Sequence, residues 1–368
     1  MTNATPVSGP HTHTSNSVSK VMLKVMLALL PATAFGVYLF GWPALNLFIV
    51  TVAAALLSEI FCLYIAGKQI KIFVFDGSAI LTGWLLAITL PPWSPWWIGV
   101  IGSIFAIVVG KHVFGGIGQN IFNPAMLARV VLLVSFPLEM TTWTNPYPLY
   151  STISPDFIAS LKITFLSHTP IDAISGATIL GDIRTELGLG HTLSEVLVKN
   201  TDHNNLLMGF TKGSMGETSA ILILSGGLLL LAQRIISWHI PIAMLASIAL
   251  LSTIFNFINP HVYANAWVHV FSGGAILGAF FIATDIVTSP NSNLGKVIFG
   301  AGCGVLVYII RTWGGYPEGV AFAVILMNAL TPLIDYYVRP NIYGYKSKGV
   351  PAEYTEKKIS SVTKSYKG

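Results

Sequence analysis

Charge is what this chain has least of. Lys, Arg, Asp and Glu make up 10% of its 368 residues, where a soluble domain carries about 25%. That shortage excludes a water-facing surface over most of the molecule. Cysteine is scarcer still: Cys62 and Cys303 are the whole complement, both inside apolar runs. With no CxxC pair and no His/Cys cluster, the chain cannot by itself build a four-Cys iron–sulfur centre or a structural zinc site, and no metal site is expected. The two thiols read as small buried hydrophobes. Lys and Arg exceed Asp and Glu by 20 to 15. No basic stripe is interleaved with aromatics, so nucleic acid is not an expected partner. In a membrane protein such an excess marks basic cytoplasmic loops.

What is present is apolar length. Hydrophobic residues are 53% of the chain, and the mean hydropathy is +0.69. The apolar segments fall at 21–40, 44–66, 77–90, 96–111, 121–140, 217–233, 239–258, 266–284, 296–311 and 319–337. They are too long and too rich in Leu, Ile and Ala for barrel strands, whose signal is alternation over about ten residues. Backbone groups in lipid must be satisfied within their own segment, which leaves helices. The expected fold is an all-α integral membrane protein of ten transmembrane helices embedded in lipid. No small-residue cleavage site follows the first run, which reads as a retained helix rather than a signal peptide.

The expected organisation is a disordered polar tail (1–19), a first five-helix half (20–140), a long polar interval (141–216), a second half (217–338) and a C-terminal tail (339–368). Lys20, Lys24, Lys68, Lys71, Lys111, Arg234, Lys296, Arg339 and the lysines of the C-terminal tail all fall on one side if both termini are cytoplasmic. That orientation puts 141–216 outside the cytoplasm.

The halves resemble each other. "GSAILTGWLLAITLP" (77–91) is similar to "GGAILGAFFIATDIV" (273–287), and "FGGIGQNIFNPAMLARVVL" (114–132) to "WGGYPEGVAFAVILMNALT" (313–331). Five helices is an odd number, so the halves must have opposite topology, the signature of an inverted repeat. The run 77–90 would span about 21 Å as a helix, short of the roughly 30 Å hydrocarbon core. Short Gly-rich segments at matching places point to a central site in such folds. The candidate inter-repeat ion path is therefore Gly77, Gly115, Gly116, Asn123, Gly273, Gly274, Asp285, Gly314 and Gly315.

Glu59, Arg129, Asp285 and Arg311 lie in or at the edge of apolar runs, where charge costs about 2.5–3.5 kcal/mol on insertion scales. Each is a functional candidate. The plainer readings are a buried structural pair, such as Glu59 with Arg129, and for Asp285 the cap of a turn. "GGIGQNIFNP" (115–124) lacks the spacing of a dinucleotide fingerprint. Its Asn123-Pro124 reads as a helix start.

The polar interval contains "IDAISGATIL" (171–180). On its own "SGAT" is an ordinary Ser/Gly turn. Together with "DGSAILTGWLLAITLPPWSPWW", "GGIGQNIFNPAMLARVVLLVSFP", "GAFFIATDIVTSPNSNLGKVIFGAG" and "GGYPEGVAFAVILMNALTPLIDYYVRPNIYG", it resembles the NqrB/RnfD family, in order and over nearly all of 70–344. "DAISGAT" is similar to that family's covalent flavin attachment motif, except that Ile179 stands where members often have Pro.

The resemblance implies FMN joined through its phosphate to the hydroxyl of Thr178, placed there by a flavin transferase acting outside the cytoplasm. Within the motif, Gly176 and Ala177 would leave room for the phosphate, Ser175 would donate to it and Asp172 would fix the turn. It implies a multi-pass subunit of the bacterial inner membrane in an Rnf complex, a translocase-type oxidoreductase coupling ferredoxin and nicotinamide pools. The expected partners are the RnfA, RnfB, RnfC, RnfE and RnfG subunits. It also allows a second, non-covalent riboflavin between the halves. Alternatives stay open: an NqrB-type subunit of a sodium-pumping NADH:quinone reductase, a small-solute channel or carrier, and a structural scaffold.

Overall fold

The computed structural model describes residues 17–152, 154–167, 177–193, 195, 207–316 and 318–339, with short backbone pieces at 345–347 and 350–351. Residues 1–16 of the expected N-terminal tail, most of the C-terminal tail, and Asp172, Ser175 and Gly176 of the motif lie outside the described residues.

Helices dominate. α1 (Val18–Phe40) starts at Ser17, whose side chain accepts from the Lys20 amide at 3.3 Å, an N-cap bond. α2 (Trp42–Ile65) follows after the single residue Gly41, with Pro43 in its first turn. Next come a short α3 (Ile70–Val74), α4 (Ser78–Thr89) and α5 (Trp96–Ile104), which runs on as π-helix through Phe105–His112. α6 (Pro124–Ser135) is capped by Asn123, whose side chain accepts from the amides of Ala125 and Met126. The expected helix over 121–140 is thus shorter. Pro137 has no amide to continue it, and a separate α7 (Pro137–Thr141) begins there.

The polar interval is not structureless. It holds α8 (Phe157–Leu166) and α9 (Ile179–Gly188). Asn46 of α2 donates to Ser160 at 3.0 Å, tying α8 to the bundle. The second half contains α10 (Ala220–Ala232), α11 (His239–Ile258), α12 (Ala266–Phe271), α13 (Ala275–Leu277, continuing as π-helix through Gly278–Ile282), α14 (Asn293–Trp313) and α15 (Val320–Tyr337). The expected continuous helix over 266–284 is broken between Phe271 and Ala275. Gly273 sits there at φ +65°, a left-handed conformation that ends a helix and favours glycine. Gly77, at φ +80°, makes the matching turn before α4.

Five helices, α1, α2, α11, α14 and α15, are long and apolar enough to cross a membrane. Their outer faces carry large exposed apolar side chains, such as Leu57, Phe61, Leu250 and Phe257. α4, α5 with its extension, α6, α8 and α10 are shorter and apolar. The two shortest central pieces are the most enclosed: every residue from Gly274 to Thr284, and from Leu85 to Ser94, is buried. A helix apolar on all sides belongs in an interior, and α4 and α13 form the middle of this bundle.

Close backbone approach holds the second half together. Gly300 and Gly304, one turn apart on α14, lie against α11, where an added Cβ would meet the carbonyl oxygens of Ile240 and Met244. Small residues at this spacing let helices touch where lipid supplies no hydrophobic drive. Gly304→Leu is expected to destabilise the bundle by about 3 kcal/mol or more through overpacking. Gly315→Ala is the control, since its Cβ would have nothing within 4 Å. The recovery of monodisperse protein in detergent measures the difference.

Candidate functional site

Two charged groups lie inside the bundle, and a third polar site lies at α9, outside the main core. At the end bearing α3, Glu59 on α2 receives Lys111 Nζ at 2.8 Å and faces His112 Nε2 at 3.0 Å. The same Lys111 ammonium donates to Ser78 Oγ at 2.8 Å, and Ser78 donates to Asp76. One expectation is corrected here: Glu59 pairs with Lys111 rather than with Arg129, and Lys111 is itself buried, 3% exposed. The reason is that the π-helical extension of α5 carries Lys111 inward beside α2, where an unpaired Glu59 would be costly. Gly115 and Gly116 line a pocket of about 70 Å³ with Glu59, Asp76 and His112. Asn123 and Asp285 line a neighbouring one of about 110 Å³ with Ser78 and Lys111. Asp285 also closes its own turn, accepting from Val287 N at 3.3 Å and Thr288 Oγ1 at 3.2 Å. That is the plainer of its two expected roles, the cap of a turn.

Midway, Arg129 on α6 lies 3.6 Å from Glu217 and also donates to the Thr89 carbonyl. Glu217 and Glu318 line one small pocket with Gly274 and Arg129. Glu318 pairs with Arg311 at 3.2 Å. Neither glutamate stands out in the sequence, because "GSMGETS" and "GGYPEG" read as polar joints. Both arginines are visible as charges inside apolar runs. Gly273 packs against the Arg311–Glu318 pair, and Gly314 ends α14 just beyond it, followed by Gly315.

At the far end stands Thr178. Its residue is 4% exposed, and it caps α9, with Oγ1 accepting from the Gly181 amide at 3.3 Å. The first amides of a helix have no intrahelical acceptor and draw negative charge. An oxygen at the N-cap is therefore where a phosphate would meet ready donors, and this position fits a phosphoester. Ala177 precedes it among the described residues. α9 packs through Leu180 and Ile183 onto Leu193, Ala264 and Val268. α9 also borders a cavity of about 320 Å³, lined on its other sides by Tyr263, His269, Arg311 and Trp313. Among the described residues, no His, Cys, Asp or Glu group is arranged to hold a metal ion. Cys303 is buried, while Cys62 on α2 is only partly covered.

Long apolar helices around a buried, charge-paired centre define a multi-span membrane protein. The chain belongs to the NQR2, RnfD, RnfE family, whose model matches residues 5–344. It is 54% identical over 336 residues to the D subunit of the ion-translocating oxidoreductase complex of Stutzerimonas stutzeri, covering 91% of this chain and 95% of that one. To the protein of the same name from Halorhodospira halophila it is 50% identical over 345 residues, covering 94% and 97%. The Escherichia fergusonii counterpart is 42% identical over 350 residues, covering 92% and 98%.

Proposed function

We propose that the chain is the RnfD-type membrane subunit of an ion-translocating oxidoreductase complex, passing electrons through an FMN esterified to Thr178. Family membership supports the first part, and all three relatives carry that complex in their names. The observation that carries the second is the position of Thr178, at the head of a helix inside "DAISGAT". The flavin supplies the redox chemistry. The chain's part is to hold it, exclude water and set its electrostatic surroundings. Neither a nucleotide fingerprint nor an iron–sulfur ligand set is visible in the sequence, so partner subunits would bring those centres, with RnfA, RnfB, RnfC, RnfE and RnfG as the candidates.

The ten-helix inverted repeat is part of this reading. Its support is the matched left-handed turns at Gly77 and Gly273, each opening a buried central helix. Lys111, near the end of the extension of α5, donates to Ser78, and Arg311, near the end of α14, donates to the Ser272 carbonyl, at corresponding places in the two halves. The charge pattern favours both termini in the cytoplasm of a bacterial inner-membrane protein, with Thr178 on the periplasmic side. An ion path would follow the polar groups between the halves, and a riboflavin would have to share that space.

Two experiments test the reading. Denatured protein produced with the flavin transferase should show a flavin-fluorescent band on a gel, and Thr178→Val should show none. A band that survives the substitution means another acceptor. Gly116→Leu should uncouple ion transport from electron transfer in vesicles, whereas equal retention of both would put the ion path elsewhere.

A further inference from the structure

The cavity beside α9 is built like a ligand site. Its volume of about 320 Å³ falls within the roughly 300–1,000 Å³ of small-molecule pockets. Leu180, Ile183 and Leu187 of α9 form one wall, and Tyr263 and Trp313 the other. Trp313 is held edge-on to Phe255 at 5.0 Å between ring centres. Its charged side chains are Arg184 and Arg311, and among the described residues that line the cavity none is acidic. Arg311, whose side chain is 1% exposed, commits its Nη1 to the His269 carbonyl and its Nη2 to the Ser272 carbonyl and Glu318. Its Nε is left with no acceptor, as is Arg184 Nη1, and His269 Nδ1 has no hydrogen-bond partner. Buried donors without partners are expensive, and here they border a single space.

We propose that this cavity seats the isoalloxazine ring of the FMN carried by Thr178, with Arg184 and Arg311 as positioning residues for its electron-rich carbonyl edge. The inference rests on the Thr178 reading. Thr178 heads the helix whose side chains form the wall, and Arg184 lies six residues on, about 9 Å along the helix axis, a span suited to the ribityl chain. A flat ring with one apolar face and a hydrogen-bonding rim matches a slot of leucine, tyrosine and tryptophan edged by guanidinium groups. Cationic groups near that rim favour the reduced, anionic flavin over the oxidised one and so raise its midpoint potential. Half of Trp313 is exposed, which leaves one side of the slot open for electron exchange with a partner.

The full chain, produced with the flavin transferase, provides the test. Ring emission in the folded protein should be quenched by Trp313 and recover on denaturation. Trp313→Leu should raise native emission several-fold. Arg184→Gln should shift the midpoint potential of the covalent flavin to more negative values, and Arg184→Lys should restore most of the shift. Arg184 has no structural bond to lose through its free Nη1, so the fold should survive this change. In each variant the denatured gel band should remain, because Thr178 is untouched. A retained band with native emission unchanged in Trp313→Leu overturns the ring placement. A retained band with an unchanged potential in Arg184→Gln overturns the role of the arginines. Absence of the band from the wild-type chain removes the Thr178 reading and this inference with it.

Discussion

Thr178→Val is expected to reduce ferredoxin-linked nicotinamide reduction by membranes of the intact complex to background, while the subunit still assembles. Valine matches threonine in shape, so packing around α9 should be nearly unchanged. The loss to the fold is one N-cap bond, Gly181 N to Thr178 Oγ1 at 3.3 Å, worth about 1 kcal/mol. On the proposed reading the loss to function is the phosphoryl acceptor, and the adjacent Ala177 and Ile179 have no hydroxyl to take its place. Thr178→Ser separates the two effects, because serine keeps both the cap and an acceptor oxygen. Partial flavin loading and partial activity are expected for it. Activity near wild type in Thr178→Val would mean that electrons bypass this residue.

The second large effect lies at the opposite end of the bundle. Lys111→Met leaves the Glu59 carboxylate, 2% exposed, without its 2.8 Å ammonium partner. Removing one member of a buried ion pair typically costs about 3–5 kcal/mol. His112 stays within 3.0 Å of the other carboxylate oxygen. The double variant Lys111→Met/Glu59→Gln removes both charges and should recover most of the lost stability, since an apolar or neutral replacement of a buried pair is often nearly harmless. Unfolding midpoints in detergent decide the matter. If the double variant is as unstable as the sum of the single ones, the two side chains do not interact as described.

Much of this architecture is legible in the sequence. The spans are readable because lipid demands long apolar runs and punishes charge, and nearly every expected segment is a helix. Their ends are less readable. Pro137 stops α6 early, and the Gly273 turn splits α12 from α13, because these are backbone conformations that hydropathy does not register. Pairings across the bundle are not readable at all. Glu59 finds Lys111, 52 positions away in sequence, through an irregular π-helical turn that no periodicity announces. Arg129 and Arg311 are conspicuous as charges in apolar company, but Glu217 and Glu318 look like loop residues until the fold turns them inward. Thr178 stands out only through its motif. The cavity beside it draws on α9, the loop before α12, and α14, segments that share no local pattern.

Intact mass spectrometry of this polypeptide, taken from a host that makes the flavin transferase, tests the central claim most directly. The expected result is a single species heavier than the chain by one FMN less one water, with fragmentation placing the increment on Thr178. A chain at its unmodified mass, or an increment on another residue, would contradict the account.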